Sequence, residues 1–205
     1  MLNTRLALIA VASTGFLTIA AACSPTAGPV TVATAPSASQ AGSVASALHN
    51  EADVQFAQMM IIHHVGATDM AGLAQQTSNS RQVRELAERI NLAQGPEINQ
   101  MRGWLEEWGE PGPEDSNLRG ASHDGMEMGG FDQKDEAEEL LNLDGAAFDK
   151  KFLNLMVVHH RSALAMANQQ ITKGQNAEAI ELAKTIMSAQ ESEIVEMENL
   201  LDEPA

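Results

Sequence analysis

At 205 residues the chain has room for one ordinary domain and some additional segments. Its 28 acidic side chains outnumber 12 basic ones for a net charge of −16, which repels nucleic acid and anionic lipid headgroups and excludes both as partners. Aromatic residues are 3% of the chain and Tyr is absent, whereas Met occurs 11 times among abundant Ala; that mixture suits closely packed helices and not a β-sandwich.

Residues 1–22 read as a secretory signal peptide. Arg5 supplies the positive start, Leu6 to Ile19 the apolar core, and Ala20-Ala21-Ala22 the small residues before a cut. The apolar run falls short of the ~20 residues that a membrane-spanning helix needs. Cys23, the single cysteine, follows directly, as in the bacterial lipobox. Its thiol is expected to carry lipid (palmitate) and to become the mature N-terminus, which places the protein at the extracytoplasmic face of the cell membrane, held by its anchor alone. Cleavage removes Arg5 and leaves 11 basic against 28 acidic residues, a net −17. Residues 23–48, rich in Ser, Thr, Ala and Pro, bury too little apolar surface to fold and form a flexible tether.

From Asn50 the pattern is helical as far as Trp108. A Gly/Pro/acidic stretch, Gly109 to Gly130, interrupts it; a short helix is expected at Asp135–Leu141, and helical pattern then runs from about Ala146 to Leu201. Residues 56–105 align without a gap onto 152–201 at a constant offset of 96. Phe56/Phe152, Met60/Met156, His63/His159, His64/His160, Ala67/Ala163, Met70/Met166, Glu97/Glu193 and Met101/Met197 are among the identities. Fifty gapless positions mixing rare residue types mark an internal duplication. Each unit breaks once, around Gln75–Arg81 and around Thr172–Ala177, where Lys173-Gly174 is a helix stop. The expected fold is therefore all-α: an antiparallel four-helix bundle spanning 49–203, made of two duplicated helical hairpins (about 50–108 and 146–202) joined by loop 109–145. Gly95-Pro96, where the duplicate has Ser192, predicts a kink or a restarted turn. His49, alone before the first helix, is read as capping or incidental.

At 100° per residue, Met70, His63, Phe56, Ala67, Met60, Ala71 and His64 fall within an arc of about 120°. Met166, His159, Phe152, Ala163, Met156, Ala167 and His160 repeat it. On the partner helices Ile90, Gln94, Glu97 and Met101 share an inward face, as do Ile186, Gln190, Glu193 and Met197. A carboxylate facing a core is costly unless paired or metal-bound, so the two Glu are natural companions of the imidazoles. Imidazole nitrogen with thioether sulfur favours copper, particularly Cu(I). The candidate ligands are His63, His64, His159, His160, Met60, Met70, Met156, Met166, Met101 and Met197. Glu97 and Glu193 either ligate directly or accept from an imidazole's second nitrogen. His123, Met126 and Met128 in the Gly-rich connecting loop form a further possible metal-capturing set.

These residues carry a resemblance. His49-Asn50-x-Ala52-Asp53-x-x-Phe56-x-x-x-Met60-x-x-His63-His64-x-x-Ala67-x-x-Met70-Ala71 resembles the signature of the domain of unknown function 305 family. Phe148-x-x-x-Phe152-x-x-x-Met156-x-x-His159-His160-x-x-Ala163-x-x-Met166-Ala167 resembles it equally. The resemblance covers about residues 49–202 and implies a secreted, ferritin-like bundle of two-helix repeats; some relatives are associated with copper binding in the cell envelope.

The leading reading is an envelope lipoprotein that binds copper for sequestration or transfer, a metal-handling protein rather than an enzyme. Catalytic residues are not evident, since Cys23 is committed to lipid and no Ser sits in a nucleophile motif. One alternative is a ferritin-like oxidase or peroxidase using iron or manganese, although the Glu-x-x-His pairs of such sites are missing. Another is a structural bundle whose His and Glu neutralise one another without metal.

Overall fold

The computed structural model describes residues 48–114 and 138–203. The signal peptide, Cys23, nearly all of the tether, the loop set His123, Met126 and Met128, and residues 135–137 of the expected short helix lie outside the described residues. Four long helices make up the fold: α1 (Glu51–Thr77), α2 (Arg81–Trp108), α3 (Gly145–Lys173) and α4 (Ala177–Asp202). Residues 138–141 add one helical turn. The all-α four-helix bundle expected from the sequence is the fold of the chain.

Local chemistry sets the helix ends. Asn50 caps α1 in a reciprocal box: its side chain accepts from the Asp53 N–H, and the Asp53 carboxylate accepts from the Asn50 N–H. Ser80 and Asn176 cap α2 and α4. Gly109, at φ +72°, ends α2 in the left-handed conformation; its N–H bonds the Glu106 carbonyl and the Glu110 N–H bonds that of Leu105. The two interhelical breaks are shorter than the sequence suggested, being residues 78–80 and 174–176. Helix α2 does not restart at Pro96. The carbonyl that loses its partner there is that of Leu92, a residue 69% exposed, where water can bond it. His49 is no cap: its ring stacks on Trp108 at 4.7 Å, and Trp108 stacks on Trp104 at 5.9 Å, which ties the approach to α1 to the end of α2.

Helix α1 packs against α2, α3 against α4, and the hairpins meet along α1 and α3. These two run antiparallel, since the Asn50 side chain at the start of α1 bonds the Lys173 carbonyl at the end of α3. The first halves of α1 and α4 share an apolar cluster with the second halves of α2 and α3, built on Phe56, Met60, Met101, Met166 and Ile186. The opposite end holds the duplicate cluster, built on Met70, Ile90, Phe148, Phe152, Met156 and Met197. Because α1 touches two helices, it buries more than the 120° arc: Ala57, Met59 and Ile61 are also at 0–1% exposure. Between the clusters lies a polar layer. No helix among the described residues is long and apolar enough to cross a membrane.

Phe152→Ala removes a fully buried ring and should cost about 3–5 kcal/mol in urea denaturation. Leu92→Ala on the exposed face of α2 should stay within about 0.5 kcal/mol.

Candidate functional site

The two histidine pairs occupy the crossing of α1 and α3. His63 and His159 stack with ring centroids 3.6 Å apart and planes 24° apart. The His63 Nε2–H donates to the His159 carbonyl at 3.0 Å, and the His159 Nε2–H donates to the His63 carbonyl at 2.9 Å. The approximate two-fold relation between the repeats thus runs between these rings. The Ser162 hydroxyl lies 2.7 Å from His63 Nε2 and donates to the His159 carbonyl at 2.8 Å, so it shares the His63 proton. Its counterpart in the first repeat is Gly66, so only one ring has this extra partner.

His64 and His160 turn the other way, toward the outer helices. The His64 Nε2–H donates to Glu97 Oε2 at 2.8 Å, and the His160 Nε2–H to Glu193 Oε2 at 2.7 Å. Both imidazoles are fully buried, whereas both glutamate side chains keep 17% exposure. The expected inward carboxylates therefore stand at the edge of the layer, each bonded to the histidine of its own repeat.

Tautomers follow from the partners. Carbonyl and carboxylate oxygens only accept, so the shared proton sits on Nε2 and a neutral ring keeps its lone pair on Nδ1. The Nδ1 atoms of His63, His64 and His160 are buried and have no hydrogen-bond partner. Both polar atoms of the Gln94 side chain and Oε1 of Gln190 are in the same condition; each Gln lies one turn before the Glu that holds a histidine. Burial is the main reason that His63 is pushed well below the ordinary imidazole pKa of 6.5, reinforced by the neighbouring His159, His64 and His160. Burial likewise lowers His159 to about 4, against the opposing effect of its bond to the His63 backbone.

All six candidate methionines are at 0–5% exposure. The fold sorts them into two sets of three, Met60, Met101 and Met166 in one apolar cluster and Met70, Met156 and Met197 in the other. Each set draws on three helices, and the 96-residue offset converts one into the other. Among the described residues no three His, Asp or Glu side chains gather where one ion would bind. Nitrogen and oxygen donors alone therefore do not form a preassembled cage among the described residues.

Sequence reasoning missed Ser162, whose only signal is its place three residues after His159. It also missed the work of Asp53. This fully buried carboxylate accepts from the backbone N–H groups of Gln175 and Asn176 at 3.0–3.2 Å and from the side chain of Gln170. The signature Asn50-x-x-Asp53 is thus a cap for α1 and a tie to the α3–α4 turn at once.

An all-α bundle of two duplicated hairpins, meeting at paired buried histidines, defines a narrow class of protein. The model of the family described as Domain of unknown function (DUF305) matches residues 53–201, and the chain belongs to that family. A DUF305 fragment from Deinococcus radiodurans is 34% identical and superposes with a TM-score of 0.65, over 74% of this chain and 96% of that one. A DUF305 candidate secreted protein from Streptomyces coelicolor is 31% identical with a TM-score of 0.65, over 73% and 90%. CopM in its Cu(II)-bound form is 30% identical with a TM-score of 0.61, over 73% and 95%, and CopM has also been solved in Cu(I)-bound, Ag-bound and apo forms. Among curated proteins none matches the chain.

Folding lowers the pKa of both central histidines, so between about pH 6.5 and pH 4 the unfolded chain binds more protons than the native one. The contribution of both is complete above pH 6.5; that of His159 is lost as pH falls through about 4, by about 3 kcal/mol, and that of His63 is lost on the same acid side. Urea midpoints at pH 7 and 4.5 should therefore differ less in His159→Gln than in the parent; equal differences would remove His159 as the cause.

Proposed function

We propose that the protein is an extracytoplasmic copper-binding lipoprotein that sequesters or hands on Cu(I) through imidazole and thioether groups in its bundle interior. The observation that carries this reading is the set of buried Nδ1 atoms on His63, His64 and His160, whose rings already donate their Nε2 protons to other groups. A self-satisfied His–Glu network would supply those nitrogens with donors; here it serves only the Nε2 side. Imidazole nitrogen together with the six thioethers buried in the same bundle would make a soft-to-borderline donor set suited to Cu(I).

Glu97 and Glu193 then act as outer acceptors. Bonding the Nε2 proton fixes the tautomer and makes the opposite nitrogen a better ligand. The division of the methionines into two equivalent sets favours two sites related by the repeat, each combining histidine Nδ1 with methionine sulfur. The copper- and silver-bound forms of CopM support the choice of metal, since Ag(I) shares the softness of Cu(I). An iron or manganese oxidase is disfavoured by the residues themselves: the carboxylate-rich cage of such centres is not gathered among the described residues. Lipidation of Cys23 anchors the bundle at the outer face of the membrane, with residues 23–48 as tether. In this scheme the loop set His123, Met126 and Met128 is a further candidate site for the ion.

Anaerobic titration of the mature protein with Cu(I) should show stoichiometric uptake that is lost in the quadruple variant His63→Ala/His64→Ala/His159→Ala/His160→Ala. No uptake by the parent would sink the reading. Glu97→Gln with Glu193→Gln should lower affinity about 10–100-fold while the far-ultraviolet circular dichroism stays helical. An unchanged affinity would remove the outer-acceptor role.

A further inference from the structure

The duplication places an aspartate at the same point of both hairpins, Asp53 and Asp149, but the two ends of the bundle treat them differently. At the first end Asp53 is fully buried and holds the α3–α4 turn through Gln175 N–H, Asn176 N–H and Gln170. Asn50 and Asn176 add bonds to the Lys173 and Leu48 carbonyls. At the second end Asp149 makes no such bond, and its Oδ1 is buried without a partner.

Three substitutions explain the difference. The counterpart of Gln170 is Ala74, which has nothing to donate. The counterpart of Gly174 is Ser78, whose hydroxyl accepts the Ser80 N–H at 3.1 Å and so satisfies its own turn. Gly174 has no hydroxyl, and its bare Cα is required: a Cβ there would collide with the Gln170 side chain and meet the Gln170 carbonyl oxygen at 2.6 Å. The counterpart of Asn50 is Ala146, and the residue that caps α3, Asp144, makes no side-chain capping bond. Among the described residues the polar bonds that cross between the hairpins at this end are exposed, Arg89 with Glu196 and Gln82 with Glu203, and exposed pairs stabilise little.

We propose that the bundle opens from one end: the first turns of α3 part from the α1–α2 turn while the Asp53 end stays locked. Opening the locked end would strip a buried carboxylate of every cross-hairpin donor, a cost the Asp149 end does not carry. The central imidazoles are at 0–4% exposure, so an ion reaching them needs the surrounding packing to part, and the Asp149 end is the end held by fewer buried polar bonds. On the copper reading above, on which this last step rests, the Asp149 end is the route by which the ion enters.

Hydrogen exchange followed by mass spectrometry on the metal-free protein tests the opening, each segment being compared with its own duplicate. Residues 152–160 should exchange about tenfold faster than 56–64, and 70–77 faster than 166–173; equal rates, or the reverse order, overturn the proposal. Asp53→Asn should raise exchange in 56–64 and 166–173 toward the rates of their duplicates, and no rise also overturns it. Ala74→Gln, which supplies the missing donor, should slow exchange in 152–160. If that fully buried position does not accept Gln and the variant fails to fold, Asp53→Asn still decides the matter. In a folded Ala74→Gln variant, Cu(I) uptake should slow with unchanged stoichiometry; slower exchange with unaltered uptake rules out this route. A parent that takes up no Cu(I) removes the copper reading, while the exchange pattern still judges the opening.

Discussion

A neutral imidazole in a dry interior has one proton to give and one lone pair to place, and it cannot relocate them independently. Here each of the four central rings commits its Nε2 proton, two to backbone carbonyls across the α1–α3 crossing and two to carboxylates on the outer helices. On His63, which burial keeps neutral, that choice leaves the lone pair on an Nδ1 inside the bundle. It also sets the spacing of the crossing helices, because reciprocal bonds of 2.9–3.0 Å and a ring separation of 3.6 Å demand close approach. Ala67 and Ala163, fully buried four residues beyond the central histidines, permit it.

The surroundings reinforce the commitment. Apolar clusters on both sides of the layer withhold water from the rings. Desolvation then holds His63 and His159 neutral, and two neutral rings can stack where two imidazolium ions would repel. The same dryness makes an unpartnered Nδ1 or Gln amide expensive, and the copper reading proposed above supplies such atoms with a ligand.

The repeat is nearly symmetric, and its departures are single residues. Ser162 against Gly66 gives one histidine an extra partner. Gln170 against Ala74 and Gly174 against Ser78 decide whether an aspartate finds its donors. Pro96 against Ser192 leaves the course of α2 unbroken, because the backbone group it frees lies on the wet side of the helix. Only Gln170, which stands where the duplicate has the buried Ala74, touches the hydrophobic pattern, so both hairpins fold alike while their junctions differ.

Periodicity and the 96-residue offset determined the helices, the centre of each buried face and the pairing of the four central His, the six candidate Met and Glu97 and Glu193 with their duplicates, because helical phase is a local property. They also put Glu97 and Glu193 beside the histidines, since a charged residue on an apolar face announces a partner. Which nitrogen each histidine uses, and that the Glu stand at the wet edge, required the α1–α3 crossing. The sorting of six methionines into two sets required it too, as did the lock made by Asp53 and absent at Asp149. These depend on groups brought together from about 100 residues apart in the chain, where a hydrogen bond is decided by tenths of an ångström and by the one side chain at a turn that can or cannot donate.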